Sequence, residues 1–198
     1  MVIAPIPLID WKAAFRKKAK TARGQAAERQ PDAARFAASA FMSRFTPDAP
    51  SRIALYHPKG DELDPWPLAE RLMQEGHSVL LPVVVGKKKP LIFRLFEVDK
   101  PLVEGPYGIM EPGDQADQLT PDIIVVPLLA IRPDGARLGM GGGFYDRTLE
   151  VLRAERDLLA VGFGYGAQWM ERFPVDAHDQ FLDGFVSERG AERFDRRR

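Results

Sequence analysis

Four glycines in five positions, Gly139-Met140-Gly141-Gly142-Gly143, run directly into Phe144, Tyr145 and Asp146. Glycine has no Cβ and tolerates positive φ, so such a cluster lets backbone N–H groups approach a bound anion closely. The residues that follow are suited to open a helix, whose amino end carries a partial positive charge. A flexible surface turn is the plainer interpretation, but turns rarely need more than one or two glycines. The pattern therefore favours a loop that binds a phosphate group.

The glycine loop, as we call residues 139–143, does not match the common phosphate-binding motifs. No lysine, serine or threonine follows its last glycine, as the Walker pattern requires, and Phe144 occupies the third glycine position of the dinucleotide fingerprint. A second glycine cluster occupies residues 162–166. Ligands of open α/β sheets bind at the carboxyl ends of strands. Both clusters follow predicted strands, so we expect them to meet at one cleft.

Two aspartates are suited to hold Mg²⁺ if the phosphates belong to a triphosphate. Asp146 lies in the first turn after the glycine loop, where its plainer role is to complement the helix dipole. Mg²⁺ prefers one or two carboxylates together with phosphate oxygens and waters. Asp179 is the best second ligand, since it follows the second glycine cluster and should return to the same edge of the sheet.

The sequence offers another carboxylate for this edge but no nucleophile. Glu62 follows a predicted strand through a loop that contains Gly60, and both an idle and a functional role are open for it. His57, His77 and His178 have no metal-like spacing, and we expect them to be structural. The chain has no cysteine and no Gly-x-Ser-x-Gly motif. We therefore expect the reacting nucleophile to belong to the substrate.

Strands and helices alternate along the chain, which indicates an α/β fold. We expect a three-layer α/β/α structure, a Rossmann-like open sheet that is mainly parallel and has helices on both faces. The predicted helices cover residues 11–30, 32–45, 67–76 and 145–154. The predicted strands cover residues 52–56, 78–85, 91–96, 123–129, 158–163 and, as a last short edge strand, 181–186.

Composition narrows the class of protein further. With 198 residues and 45% hydrophobic content, one core is expected, in a single domain over residues 1–188. Residues 189–198 carry five arginines and are expected to be a solvated, frayed tail. Basic and acidic residues number 28 each, so no global charge favours nucleic acid or a membrane surface as a partner. The absence of cysteine fits a reducing compartment, and we expect a cytoplasmic monomer.

Taken together, these segments resemble the 5-formyltetrahydrofolate cyclo-ligase family, also called methenyltetrahydrofolate synthetase. The strongest part is residues 126–130 followed by residues 137–147, which look like the family's apolar strand, short hairpin and GxGxGxYD loop. Residues 12–16, 60–64 and 107–112 and the pair His178-Asp179 support it. The resemblance covers most of the chain and implies a cyclo-ligase that uses ATP as cosubstrate and Mg²⁺ as cofactor.

The resemblance also implies roles for particular residues. Lys12 and Arg16 would contact ATP phosphates, Glu62 and Tyr107 would contact the folate, and Glu62 would be catalytic. Asp146 would be catalytic and would hold Mg²⁺ with Asp179. The nucleotide would be wrapped by Arg137, Leu138, Gly139, Met140, Gly141, Gly142, Gly143, Phe144 and Tyr145, of which residues 140–144 would also touch the folate. Many members carry a basic residue where Met140 stands, so only backbone phosphate contacts are expected at this position.

Two other functions are compatible with the same residues. A sugar-phosphate isomerase or acyl-transferase relative would use the glycine loop for a substrate phosphate and would not depend on ATP. A folate or nucleotide binding protein would store or sense its ligand without turnover. The presence of Glu62, Asp146 and Asp179 together argues against simple binding, which needs no assembled metal site.

Overall fold

A seven-stranded sheet forms the centre of the protein in this computed structural model, which describes residues 8–195 and side chains from residue 11 onward. The strands run in the order β11-β10-β9-β6-β1-β2-β3, and the five inner strands are parallel while both edge strands are antiparallel. The strands of this sheet are β1 Arg52–Ala54, β2 Ser78–Val83, β3 Ile92–Leu95, β6 Ile123–Val126, β9 Leu159–Phe163, β10 Gly184–Ser187 and β11 Gly190–Arg193. The predicted α/β fold is confirmed.

Helices cover both faces of the sheet, because its central strands are apolar on both faces. The helices are α1 Leu8–Arg29, α2 Ala33–Phe45, α3 Trp66–Gln74 and α4 Phe144–Glu155. On one face Phe41 of α2 and Leu68 of α3 pack in one core cluster with Ile53 of β1. On the other face Leu149 of α4 packs in a second cluster with Ile124 of β6. Neighbouring residues of β1 and β6 thus alternate between two cores.

Two small hairpins and two short 3₁₀ turns complete the structure. The first hairpin joins β4 Leu102–Glu104 to β5 Met110–Pro112 through the 3₁₀ turn Pro106–Gly108, and residue periodicity did not predict it. The second hairpin joins β7 Ala130–Ile131 to β8 Arg137–Leu138 and packs on Ala19 of α1. The other 3₁₀ turn, Gly166–Gln168, follows β9.

Most predicted boundaries shift by one to three residues, and three differences from the prediction affect the sheet. Strand β6 ends at Val126 and not at residue 129, since Pro127 has no N–H to continue the ladder. Strand β10 begins at Gly184 and lies inside the sheet, so the predicted edge strand at residues 181–186 is wrong in its position in the sheet. The prediction of a frayed tail from residue 189 is wrong for residues 190–193, because their backbone pairs with β10. Residues 196–198 of the predicted tail lie outside the described residues.

Across the described range, residues 8–195, no helix combines the length and the apolar content that a membrane span requires.

Candidate active site

The glycine loop connects β8 to α4 in a backbone conformation that requires glycine. Gly141 and Gly143 have φ angles of 102° and 66°, in the left-handed region that L side chains rarely adopt. Gly143 occupies the N-cap of α4. Arg147 in the first turn of α4 donates from Nη2 to the Gly142 carbonyl at 2.8 Å, and its guanidinium lies 5.3 Å from the centre of the Phe144 ring. The loop is therefore shaped by its own glycines and tied to the helix that it opens.

Helix α1 lies directly beside this loop and brings the two predicted phosphate-binding cations to the cleft. Arg16 donates from Nε to the Gly139 carbonyl at 3.0 Å. Lys12 lies on the same face, is 8% exposed, and donates from Nζ to Asp176 at 2.7 Å and to Asp179 at 2.6 Å. Burial acts to lower the pKa of Lys12, but the hydrogen bonds and charges of the two aspartates outweigh it and raise the pKa above its usual value.

The two predicted metal ligands lie on adjoining segments. Asp146 accepts a hydrogen bond from Nη2 of Arg137 at 2.8 Å and another from the Gln180 backbone N–H at 3.3 Å. Gln180 is the neighbour of Asp179, so folding brings the start of α4 against this late segment. Arg137 is 6% exposed and its guanidinium also lies 5.8 Å from the centre of the Tyr145 ring.

The donor set fits a Mg²⁺ ion that binds together with a triphosphate. Within residues 8–195, no group of three or more His, Asp or Glu side chains is placed to hold a metal by itself. In the same part of the chain, the hydrogen bonds to Asp146 reach only Oδ1 and those to Asp179 reach only Oδ2. Each carboxylate therefore keeps one oxygen for a cation, and one or two carboxylates plus phosphate oxygens are what Mg²⁺ prefers.

Glu62 reaches the same cleft from the loop that follows β1. Its side chain is 15% exposed, its Oε2 accepts from the Lys59 backbone N–H at 2.9 Å, and its Oε1 lies 3.5 Å from Nη1 of Arg23. Burial raises the pKa of Glu62, although the Lys59 hydrogen bond and the charge of Arg23 oppose the increase. Burial first, and then the negative charge of Glu62, raise the pKa of Tyr145. Glu62 therefore lies close enough to the first turn of α4 for its charge to affect Tyr145.

Tyr107 lies at the tip of the hairpin β4–β5, against Phe144 at the start of α4. It adopts a left-handed φ of 67°, is 51% exposed, and its ring centre lies 5.7 Å from that of Phe144. Its carbonyl accepts a hydrogen bond from Nζ of Lys59 in the loop that carries Glu62. An exposed aromatic ring beside the glycine loop can stack on a planar ligand.

Leu138 and Met140 differ from the other loop residues. Leu138 is 2% exposed and belongs to the core cluster beneath the loop, so only its backbone can reach a ligand. Met140 is 62% exposed, and its apolar side chain offers no charge to a phosphate.

Sequence reasoning missed three residues of the cleft: Arg23, Lys59 and Arg147. Arg23 carried a usable signal, since it continues the basic stripe of Lys12 and Arg16 along one face of α1. The side chains of Lys59 and Arg147 each donate to a backbone carbonyl, and sequence spacing does not predict such contacts.

The fold and the cleft together define an α/β enzyme whose glycine loop, cations and carboxylates meet at one edge of the sheet. The chain belongs to the 5-formyltetrahydrofolate cyclo-ligase family, whose model matches residues 8–188. It is therefore an enzyme of the cyclo-ligase class.

Individual relatives agree with this assignment. A 5-formyltetrahydrofolate cyclo-ligase of Haemophilus influenzae is 36% identical over 132 residues, which are 64% of this chain and 70% of the relative. One of Escherichia coli K12 is 34% identical over 140 residues, 68% of this chain and 76% of the relative. The solved 5,10-methenyltetrahydrofolate synthetase of Aquifex aeolicus superposes with a TM-score of 0.78 at 31% identity over 94% of each chain. That of Mycoplasma pneumoniae, at 21% identity, covers 89% of this chain and 98% of its own and shares the fold with a TM-score of 0.70.

Proposed function

We propose that the protein converts 5-formyltetrahydrofolate and MgATP into 5,10-methenyltetrahydrofolate, ADP and phosphate. The observation that carries the proposal is the position of α1, which lines both halves of one cleft. Its Arg16 contacts the glycine loop at Gly139, and its Arg23 contacts Glu62 across the cleft. A nucleotide half and a folate half are therefore adjacent, as direct phosphoryl transfer between two substrates requires.

The nucleotide half contains cations that are paired with the carboxylates of the predicted metal site. Lys12 pairs with Asp179, and Arg137 pairs with Asp146. Lys12 and Arg137 would bind phosphate oxygens of the nucleotide, and Asp146 and Asp179 would hold Mg²⁺. Each ion pair would be replaced by two charge-assisted contacts, so no charge in the cleft would be left uncompensated. The Mg²⁺ would neutralise negative charge on the phosphates.

The folate half is formed by Glu62 and Tyr107. An ionised carboxylate only accepts hydrogen bonds, so Glu62 binds N–H groups of the folate ring system. The exposed ring of Tyr107, edge-on to Phe144, packs against the planar part of the same substrate. Lys59 connects the two residues, because its backbone N–H holds Glu62 and its side chain holds the Tyr107 carbonyl.

The reaction then requires positioning and charge compensation and no protein nucleophile. The formyl oxygen of the substrate attacks the γ-phosphorus, an O–P bond forms, and ADP leaves. N10 next attacks the activated carbon and loses its proton, the C–O bond breaks, and phosphate leaves with the former formyl oxygen. Lys12, Arg16 and Arg137 hold the phosphates in line, which is the main source of rate in phosphoryl transfer.

The test is turnover by the purified protein and by Glu62→Gln, with the exposed Glu150→Gln on α4 as control. The wild type and the control should form the methenyl chromophore from 5-formyltetrahydrofolate only when ATP and Mg²⁺ are present. Glu62→Gln should keep its ATP affinity and lose turnover. If the protein binds both ligands but forms no chromophore at any substrate concentration, the binding-protein alternative is supported. Chromophore formation without ATP would contradict the proposed mechanism.

In this proposal the protein works as a cytoplasmic monomer, without nucleic acid or a membrane as partner. The cleft supports the monomer, since residues 12–180 of a single chain supply every side chain that the mechanism uses. Light scattering during size-exclusion chromatography of the active protein, with the activity measured across the peak, checks the oligomeric state.

A further inference from the structure

Arg23 of α1 is more deeply buried than the cations of the nucleotide half and faces the loop that carries Glu62. It is 3% exposed. Its Nη2 donates to Asp61 at 2.5 Å, and its Nη1 lies 3.5 Å from Oε1 of Glu62. A buried guanidinium needs compensating charge, and these adjacent carboxylates supply it. None of the reaction steps proposed above uses Arg23.

Gly24, the next residue of α1, makes this contact possible. Glycine inside a helix is destabilising by roughly 0.5–1 kcal/mol relative to alanine, so its presence there needs a reason. A Cβ at Gly24 would lie 3.2 Å from Oδ2 of Asp61, closer than most real Cβ contacts. The glycine therefore leaves room beside α1 for the Asp61 carboxylate that Arg23 contacts.

Arg23 contacts Asp61 and Glu62 at different distances, and the difference suits a residue that positions Glu62. The contact with Asp61 is short and anchors the guanidinium, while the 3.5 Å contact with Glu62 is too long for a strong hydrogen bond. Arg23 thus acts on Glu62 mainly through its charge and leaves Oε1 able to accept from a substrate. A directly bonded arginine would compete with the substrate for the same oxygen.

The surroundings of Glu62 contain a single positive side chain among the described groups that act on it. Arg23 faces it from α1, Asp61 and the Lys59 backbone N–H from its own loop, Tyr56 from the end of β1, and Tyr145 from α4. Burial and the charge of Asp61 favour the neutral acid, and Arg23 favours the carboxylate.

We propose that Arg23 is a positioning residue for Glu62: anchored on Asp61, its guanidinium fixes the place and the negative charge of the Glu62 carboxylate without contacting the substrate. Helix α1 then contributes to the binding of both substrates. Lys12 and Arg16 contact the nucleotide, and Arg23 positions the residue that contacts the folate. The role of Glu62 in folate binding rests on the proposed function, while the effect of Arg23 on Glu62 does not.

The test compares Arg23→Gln and Arg23→Lys with Arg52→Gln. Arg52 also makes a double contact with a carboxylate, that of Asp122, and no step above uses it. Carboxyl ¹³C NMR titration follows Glu62 directly, with its resonance assigned by loss of the signal in Glu62→Gln. In Arg23→Gln, Glu62 should titrate at higher pH than in the wild type, and the acid limb of kcat/KM should move in the same direction. Arg52→Gln should leave both unchanged.

Substrate binding gives a second readout. The loss of a charged contact reduces affinity by roughly one order of magnitude, so KM for 5-formyltetrahydrofolate should rise about tenfold in Arg23→Gln while the Kd for ATP changes less than about twofold. Arg23→Lys, which keeps the charge but not the double contact, should keep the Glu62 titration near that of the wild type and still raise KM. In a Glu62→Gln background, Arg23→Gln should have no further effect on folate affinity.

An unchanged Glu62 titration in folded Arg23→Gln would overturn the proposal, and so would an equal loss of affinity for ATP and folate. The NMR titration needs no substrate. A wild-type protein that forms no chromophore but shows the titration shift on mutation would therefore contradict the proposed reaction and leave the positioning role of Arg23 intact.

Discussion

Nζ of Lys12 lies 2.6 Å from Oδ2 of Asp179, although the two residues are 167 positions apart in the chain. The resemblance to the family assigned one of them to phosphate and the other to metal. In the structure they neutralise each other. Two charges of opposite sign held as an ion pair avoid the desolvation cost of burying either one alone. The pair also joins the start of α1 to the segment around Asp179.

Lys12→Ala should reduce ATP affinity by about one to two orders of magnitude, because a charge-assisted hydrogen bond contributes roughly 1.5–3 kcal/mol. Folate affinity should change far less. Calorimetric titration of each ligand measures both. Lys17→Ala is the matched control, since Lys17 is an exposed lysine on the same helix. Equal losses for both ligands in Lys12→Ala would contradict a role confined to the nucleotide.

Asp146→Asn should lower turnover at every Mg²⁺ concentration and raise the Mg²⁺ concentration needed for half-maximal rate, because the amide is a poorer ligand for a hard cation. The variant also loses the Arg137 ion pair, so stability has to be measured alongside. Asp134→Asn controls for this loss, since Asp134 pairs with Arg132 in the turn of the hairpin β7–β8, at its other end from the glycine loop. Wild-type rates in Asp146→Asn across the Mg²⁺ titration would show that Asp146 is not a metal ligand.

Gly143→Ala should destabilise the protein by about 1–2 kcal/mol, the usual cost of a left-handed conformation for an L residue, and should also lower ATP affinity. Its Cβ would lie 2.6 Å from Nη1 of Arg147, so the guanidinium that holds the Gly142 carbonyl has to move. Gly76→Ala is the control. Gly76 follows α3 with a φ of 83° and has open space where its Cβ would be, so it should show a comparable loss of stability with full activity. Denaturant unfolding measures the loss of stability from backbone strain, and ATP titration measures the loss of nucleotide affinity.

Glu62→Gln should be more stable than the wild type at neutral pH and less active. Burial raises the folded-state pKa of Glu62 above the ordinary value of 4.5, so the ionised carboxylate destabilises the folded state. Wild-type stability should therefore recover as the pH falls through the raised pKa toward 4.5, and the difference between the two proteins should shrink over that range. Thermal denaturation from pH 4 to pH 8 measures it. A difference that grows toward acid pH would contradict a raised pKa.

Hydrophobic patterns predicted most of the fold, because helix and strand periods depend on local spacing. The apolar run at residues 123–129 is short and rich in β-branched residues, which favours a strand covered on both faces, and its first four residues form β6. The hairpin β4–β5 was not predicted, because its strands are only three residues long, although Gly105, Pro106 and Gly108 are typical of a turn. The strand at residues 190–193 was not predicted either, because its charged residues, Glu192 and Arg193, are typical of a solvated tail.

The glycine loop could be predicted from its composition, but the partners of its neighbours could not. Arg23 reaches Asp61 across 38 residues, and Asp146 meets the Gln180 N–H across 34. Such contacts depend on how α1 and the segment around Asp176 pack on the finished sheet, which no local pattern encodes. Composition and spacing alone also did not identify the substrate, for which the resemblance to the family was needed.

The most direct test of the proposed reaction measures two products in one experiment. Purified protein receives 5-formyltetrahydrofolate, ATP and Mg²⁺, and the methenyl chromophore and ADP are quantified together over time. We expect one ADP per methenyl product at every time point and neither product when the other substrate is omitted, because each cyclisation requires one phosphoryl transfer. ADP release without chromophore, or chromophore without ADP, would contradict the coupling of the two halves of the cleft.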